Sequence, residues 1–222
     1  MSRVFPAAGI AALSLATALA QQPAQHGAGQ HDAGHRASGS GALPAGWQMR
    51  LDSPQAKPDA VRFSAMGTGF HVMTGPAAVF YRPSDAPTGG TYSVQGTFTQ
   101  MEPSAHPEAF GLFIGGSDLQ GAGQKYTYFL IRQDGRFLIK RRAGAQTPTV
   151  TDWTPNEAIR KTDASARGTN TLAIAVAPDR VRFLVNGVEV GAAAASQVDV
   201  NGIAGLRVNH DLNVHIEGFG VK

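Results

Sequence analysis

Two alternating apolar runs meet at Asp134-Gly135, and that meeting constrains the fold more than any other feature of the chain. Residues 110–142 read FGLFIGGSDLQGAGQKYTYFLIRQDGRFLIKRR, an apolar strand, a Gly-rich loop and then a hairpin. Asp-Gly between such runs predicts a type I′ turn, whose two central residues both need positive φ. With Asp134 and Gly135 as the loop, Arg132 faces Phe137, Leu130 faces Ile139 and Tyr128 faces Arg141, all on one side of a sheet. Phe129, Ile131, Leu138 and Lys140 then point to the other side, because side chains alternate along a strand. Both faces are apolar near the turn and gain cations or a tyrosine further out. A plain sandwich hairpin with cations at its rim has this pattern, and so does a central strand pair with one face packed and the other lining a groove.

The rest of the chain repeats the theme. Residues 61–66, 69–73 and 78–82 are short alternating segments cut by Gly, Thr and Pro, and 90–101 is a longer one. In the last of these Tyr92, Val94 and Phe98 share a face, and Gly96 marks a bulge or a close backbone approach. Residues 147–159, with Trp153 between Asp152 and Thr154-Pro155, are expected to be a loop. Residues 170–176 and 181–185 are strands joined by Pro178-Asp179-Arg180; Asn186-Gly187 is a second hairpin signal. Residues 192–195 are a small-residue connector, and 202–208 and 212–221 close the domain across Asn209-His210-Asp211. Trp47, after Gly46 at the domain entrance, is placed to pack over the end of the core. No helical period lasts ten residues, and about a dozen strands exceed what one flat sheet holds. The expectation is all-β, two packed antiparallel sheets.

The N-terminus speaks to compartment. Met1-Ser2-Arg3 is a short cationic start, and residues 4–20 are an uncharged run ending Ala18-Leu19-Ala20. Small residues at −3 and −1 after an apolar core of that length make a secretory signal peptide over residues 1–20. The run is short for a bilayer span, so the mature chain is expected to be exported, periplasmic or extracellular, without a membrane span. Residues 21–42 contain no apolar side chain larger than Ala and read as a disordered leader. It carries His26, His31 and His35, a short His tract of the kind that binds transition metals or serves as a plain spacer. The folded domain is expected over residues 43–222.

Composition excludes several classes. There is no cysteine, hence no disulfide, thiolate metal site or cysteine nucleophile. The formal net charge is only +3 despite a pI near 9.4. The one dense cationic cluster, Lys140-Arg141-Arg142, is split across two faces by alternation, so nucleic acid is not an expected partner. Glycoside cleavage usually needs two carboxyl groups flanking the bond, and no strand carries two at i, i+2 or i, i+4. Asp118 in the Gly-rich loop and Asp211 beside His210 are the best-placed acids. Asn209-His210-Asp211 suits either a metal or acid–base site or a polar hairpin tip.

Residues 110–119, 126–142, 152–155 and 181–190, with Gly205-Leu206-Arg207-Val208, resemble the concanavalin A-like lectin/glucanase superfamily. Within it they are most similar to secreted bacterial domains grouped with 3-keto-disaccharide hydrolases and laminin-G-like modules. The resemblance covers about residues 43–222 and implies a jelly-roll sandwich with a curved face on which glycans commonly bind. The hydrolase pattern would carry an Asn-Ser-Gly followed by a Glu-containing strand; residues 111–116 here hold no carboxylate. The resemblance therefore implies a non-catalytic carbohydrate-binding module first. A glycoside-processing enzyme of the 3-keto-disaccharide hydrolase type, or a structural or protein-interaction module, are its alternatives. Sugars present apolar C–H faces and many hydroxyls, so a site combines aromatic platforms with planar polar groups. Trp153, Tyr126, Tyr128, Arg132, Lys140, Arg142 and His210 are the candidates. No cofactor is expected; calcium, held by many sandwiches of this superfamily, would have Asp118 and loop carbonyls as ligands.

Overall fold

Fourteen strands form among the described residues, which in this computed structural model are 42–164 and 167–222. In chain order they are β1 (Gln48–Leu51), β2 (Val61–Met66), β3 (Gly69–Thr74), β4 (Ala78–Tyr81) and β5 (Tyr92–Gln100). The central group is β6 (Ala109–Ser117), β7 (Lys125–Arg132), β8 (Arg136–Ala143) and β9 (Thr149–Pro155). The last five are β10 (Thr169–Val176), β11 (Arg180–Val185), β12 (Val188–Ala194), β13 (Ile203–Val208) and β14 (Leu212–Val221). They make two seven-stranded antiparallel sheets, ordered β1-β4-β13-β6-β7-β8-β9 and β12-β11-β10-β5-β14-β3-β2. The expected signal peptide (1–20) and all but the last residue of the leader (21–42), with His26, His31 and His35, lie outside the described residues. No described helix is long and apolar enough to cross a membrane.

Alternation explains why the sheets stack. β5 is buried at every second residue, and Tyr92, Val94 and Phe98 point inward with Leu172 and Ile174 of β10. The facing sheet contributes Phe80, Phe110, Leu112, Ile114, Phe129 and Leu206. Rings meet across the gap: Phe98 on Phe110 at 5.6 Å, Phe129 on Phe183 at 5.4 Å, and Phe63 on Phe80 at 4.7 Å between centroids. Burying each such ring stabilises the sandwich by about 1.5–3 kcal/mol. Trp47 closes one end, edge-on to Phe63 and Phe70 at 4.9 Å each.

The central hairpin departs from the expected register. Its loop is three residues, Gln133-Asp134-Gly135, with Arg132 opposite Arg136, Leu130 opposite Leu138 and Tyr128 opposite Lys140. Asp134 does not take the positive φ that a type I′ turn requires; Gly135 does, at 84°. This is the three-residue hairpin whose last loop residue is left-handed. The longer loop is held from outside: Gln133 accepts from the Ser104 N–H and donates to its carbonyl, and the Gly135 carbonyl accepts from Asn156. A slip of one residue reverses every β8 side chain. Leu138 and Lys140 therefore join Tyr128, Leu130 and Arg132, whereas Phe137 and Ile139 turn into the core with Phe129 and Ile131. At Asn186-Gly187 both residues are left-handed, at 51° and 83°, and the two-residue turn forms as expected.

Three smaller expectations also change. Trp153 lies in a strand, β9, because residues 149–155 pair with β8 and give the sheet its last edge. Residues 192–194 extend β12 against β11 before a short 3-10 turn at Ala195–Gln197. The irregularity at Gly96 is a bulge in its neighbour: the β14 register shifts between Glu217 and Gly220 as it passes Gly96.

Candidate functional site

The two outer faces of the sandwich differ in kind. Outside β5 and β10 the residues are small and polar, with Thr97–Thr171 and Thr99–Thr169 hydroxyl pairs at 2.8 and 2.9 Å. The outer face of the first sheet instead carries a second apolar layer of Val79, Tyr81, Phe113, Tyr126, Tyr128, Leu130 and Leu138, with Trp153 packed beside it. For this reason β6 and β7 are buried at nearly every position rather than every second one. A Cβ on Gly205 would meet the Phe113 ring, so the glycine lets that ring lie across β13.

Arg207 stands in this layer. Its side chain is only 10% exposed, and its guanidinium donates to both oxygens of Asp52, at 2.9 and 2.5 Å. Nη1 also donates to the Tyr126 hydroxyl at 3.1 Å, and the guanidinium lies 5.0 Å over the Tyr128 ring. Burial alone would disfavour the Arg207 cation, but Tyr126 and Asp52 outweigh it and push its pKa up. Burial likewise pushes Asp52 up, yet the hydrogen bond and charge of Arg207, backed by Arg142 and Arg50, hold its carboxyl below the usual value. Burial raises both tyrosines, and Arg207 offsets only part of that, so both phenols keep their protons at neutral pH.

Arg50 and Arg142 flank this pair. Arg50 Nη1 donates to the carbonyls of Leu119 and Gly121 at 3.0 and 2.7 Å, pinning the loop between β6 and β7. One orientation of the buried Gln124 amide satisfies its surroundings. Its oxygen then accepts from Arg142 Nε and Nη2 at 3.3 and 3.2 Å and from Arg50 Nη2 at 3.2 Å. Gln120 reaches back over the same loop to donate to the Tyr81 hydroxyl at 2.7 Å. Asp118 organises the loop from within: it has φ 49°, and its carboxylate accepts from the Gly123 N–H at 2.9 Å.

Trp153 marks the outer edge. The Arg132 guanidinium lies 4.4 Å from its ring centroid, close enough for a cation–π contact. Arg132 is in turn fixed by Asp134 at 2.8 Å, and Arg136 donates to the Trp153 carbonyl at 3.3 Å. Six of the expected site residues, Tyr126, Tyr128, Arg132, Lys140, Arg142 and Trp153, thus share one face. His210 lies in the β13–β14 turn, where Nε2 meets Glu108 at 3.0 Å. Asp211 is a left-handed turn residue beside it, at φ 53°. Arg50, Asp52, Gln124 and Arg207 were not anticipated as site residues. The available signal was a lone arginine in the apolar strand Ile203–Val208; its partner Asp52 is 155 positions away.

A separate depression of about 530 Å³ lies beyond this face, between residues 82–91 and the end of β14. Of the two cations that line it, Arg82 and Lys222, Arg82 is committed to Asp85 at 2.8 Å and stacks on Trp47, so it serves the fold. Among the described residues no cluster of three or more His or acidic side chains is placed to hold a metal ion.

No family model matches the sequence, and no curated protein does. Solved structures are similar in fold. The carbohydrate-binding module CBM66 from Bacillus subtilis superposes with a TM-score of 0.58 at 12% identity, over 80% of this chain and 95% of that one. The metal-free carbohydrate recognition domain of Emp46p gives 0.54 at 10% identity, over 79% and 87%. A Bacillus subtilis protein of unknown function with a galectin-like fold gives 0.51 at 12% identity, over 79% and 88%. The fold is a jelly-roll β-sandwich of two antiparallel sheets.

Proposed function

We propose that the chain is an exported, non-catalytic carbohydrate-binding module that holds a glycan on the outer face of its first sheet. The observation that carries this is the asymmetry of the sandwich: the outer face of the second sheet is polar, with Thr pairs and the His71–His215 pair, whereas that of the first is a fixed assembly of aromatic rings and guanidinium groups. Trp153 gives an apolar platform at the edge. Arg132, Lys140 and Arg142 supply hydrogen bonds for sugar hydroxyls, while Tyr126, fully buried, and Tyr128, nearly so, form the layer on which they stand. Ring and arginine are locked together by neighbours before any ligand arrives, which lowers the ordering cost of binding. The carbohydrate-binding proteins of similar fold support the same reading.

The alternative, glycoside processing of the 3-keto-disaccharide hydrolase type, draws less support. It needs a working pair of carboxyl groups, and Asp52 and Asp134 on this face are each held by arginines.

The test is a broad glycan array probed with the full chain, with and without calcium. Saturable binding to one sugar class that Trp153→Ala weakens, with an unchanged melting temperature, is the expected result. A blank array under both conditions would overturn glycan binding.

A further inference from the structure

The arginines of this face outnumber the acids that could neutralise them. Arg50, Arg142 and Arg207 converge on Asp52, and all three lower its pKa. Asp52 spends both oxygens on Arg207. Arg142 and Arg50 are left with neutral acceptors, the Gln124 amide oxygen and the carbonyls of Leu119 and Gly121. Those contacts orient the two guanidinium groups without cancelling their charge. Lys140 sits two residues from Arg142 on the same face, opposite Tyr128, and has no carboxylate partner among the described residues. The third cation of that run, Arg141, points the other way and is neutralised by Asp199 at 2.9 Å. The nearby acid of the loop, Asp118, is turned onto the Gly123 N–H. A strip of three cations, Arg50, Arg142 and Lys140, therefore lies beside aromatic rings with no anion of its own.

Resting on the reading of this face as a glycan site, we propose that it selects acidic polysaccharides, its anionic groups docking on Arg142 and Lys140 with Arg50 behind them. A guanidinium matches the planar, two-oxygen edge of a carboxylate or sulfate and binds it with paired, charge-assisted hydrogen bonds. A sugar hydroxyl offers no charge to meet the excess. The uncharged part of the chain runs past Tyr128 toward Trp153.

Calorimetry of the full chain against matched polymers tests this. The pairs are polygalacturonate with its carboxyl-reduced form, for the carboxylate, and dextran sulfate with dextran, for the sulfate. At least one charged polymer is expected to bind about tenfold or more tighter than its neutral twin in 150 mM salt, the size of one charge-assisted contact. Lys140→Gln and Arg142→Gln should each remove most of that advantage. Arg62→Gln, the same charge change on the other sheet, should leave it. Lys140 has no ion pair to lose, so its variant reports on binding even if Arg142→Gln is poorly folded. Equal affinity for charged and neutral twins would overturn the selectivity and leave the glycan site standing. An advantage that Arg62→Gln reduces as much as Lys140→Gln would also overturn it, as diffuse attraction to a basic protein. No binding to any polymer, together with a blank glycan array, would remove the site itself.

Discussion

Asp52 grips Arg207 through two parallel hydrogen bonds, of 2.9 and 2.5 Å, across 155 positions of sequence. The pair ties the residue just after β1 to the end of β13, inside the aromatic layer. Removing the carboxylate charge leaves a buried guanidinium beside neutral groups alone, the Tyr126 hydroxyl and the Tyr128 ring. Asp52→Asn is expected to cost about 3 kcal/mol, the usual result of stranding one member of a buried pair. Replacing both, as Asp52→Leu with Arg207→Met, should cost clearly less than the single change, since no unpaired charge remains. Denaturant unfolding of the three variants measures both numbers.

The same pair sets an acid dependence. The folded Asp52 pKa lies below its unfolded value, with Arg207 as the stabilising partner overcoming burial. Its contribution is fully present above the unfolded carboxylate value and is lost as pH falls through the folded one. Melting temperature measured from neutral pH down to pH 2 should fall more steeply in the native chain than in Asp52→Asn.

His71 gives a second, separate window. It lies directly opposite His215 on adjacent strands, with ring centroids 6.4 Å apart. Burial, and then the charge of His215, depress its pKa below the ordinary 6.5. The unfolded chain therefore takes up this proton first. The contribution is complete above about pH 6.5 and declines as pH falls below it, until the folded imidazole is protonated too. His71→Gln should flatten the melting temperature between pH 7 and pH 5.

Trp153→Ala is expected to lower glycan affinity by roughly 0.5–1.5 kcal/mol, the size of an aromatic ring contact, while the fold holds. Trp47 is buried and Trp153 half-exposed. Ligand-induced change in tryptophan fluorescence should thus survive Trp47→Phe and vanish in Trp153→Ala. A signal that persists without Trp153 would place the ligand elsewhere.

The two hairpins differ in what a side chain would meet. Gly187 has φ 83° with open space around it, so Gly187→Ala should cost about 1–2 kcal/mol from backbone conformation alone. At Gly135, φ 84°, an added Cβ would also come within 2.8 Å of Lys161 Cε. Gly135→Ala should cost at least as much, and Lys161→Ala should recover any excess. Thermal melts of the single and double variants separate the two terms.

The sequence by itself determined the architecture. Alternation with period two, turn signals every few residues and the lack of a helical stretch leave two packed antiparallel sheets as the way to bury Phe98, Phe110 and Phe129 together. These are local signals, carried by neighbours in the chain. It also nominated Tyr126, Tyr128, Arg132, Lys140, Arg142 and Trp153, because aromatic and cationic residues in strands are conspicuous. Tertiary structure decided which of them share a face. One extra loop residue, held by Ser104 and Asn156, moved Lys140 to the side of Tyr128 and Arg132, and pairing with β8 drew Trp153 into the sheet. Tertiary structure also supplied Arg50, Asp52, Gln124 and Arg207, which meet only when β1, the β6–β7 loop and β13 come together. Charge compensation between residues so far apart leaves no periodic trace, because the energy of a buried ion pair depends on distance in space and not on spacing along the chain.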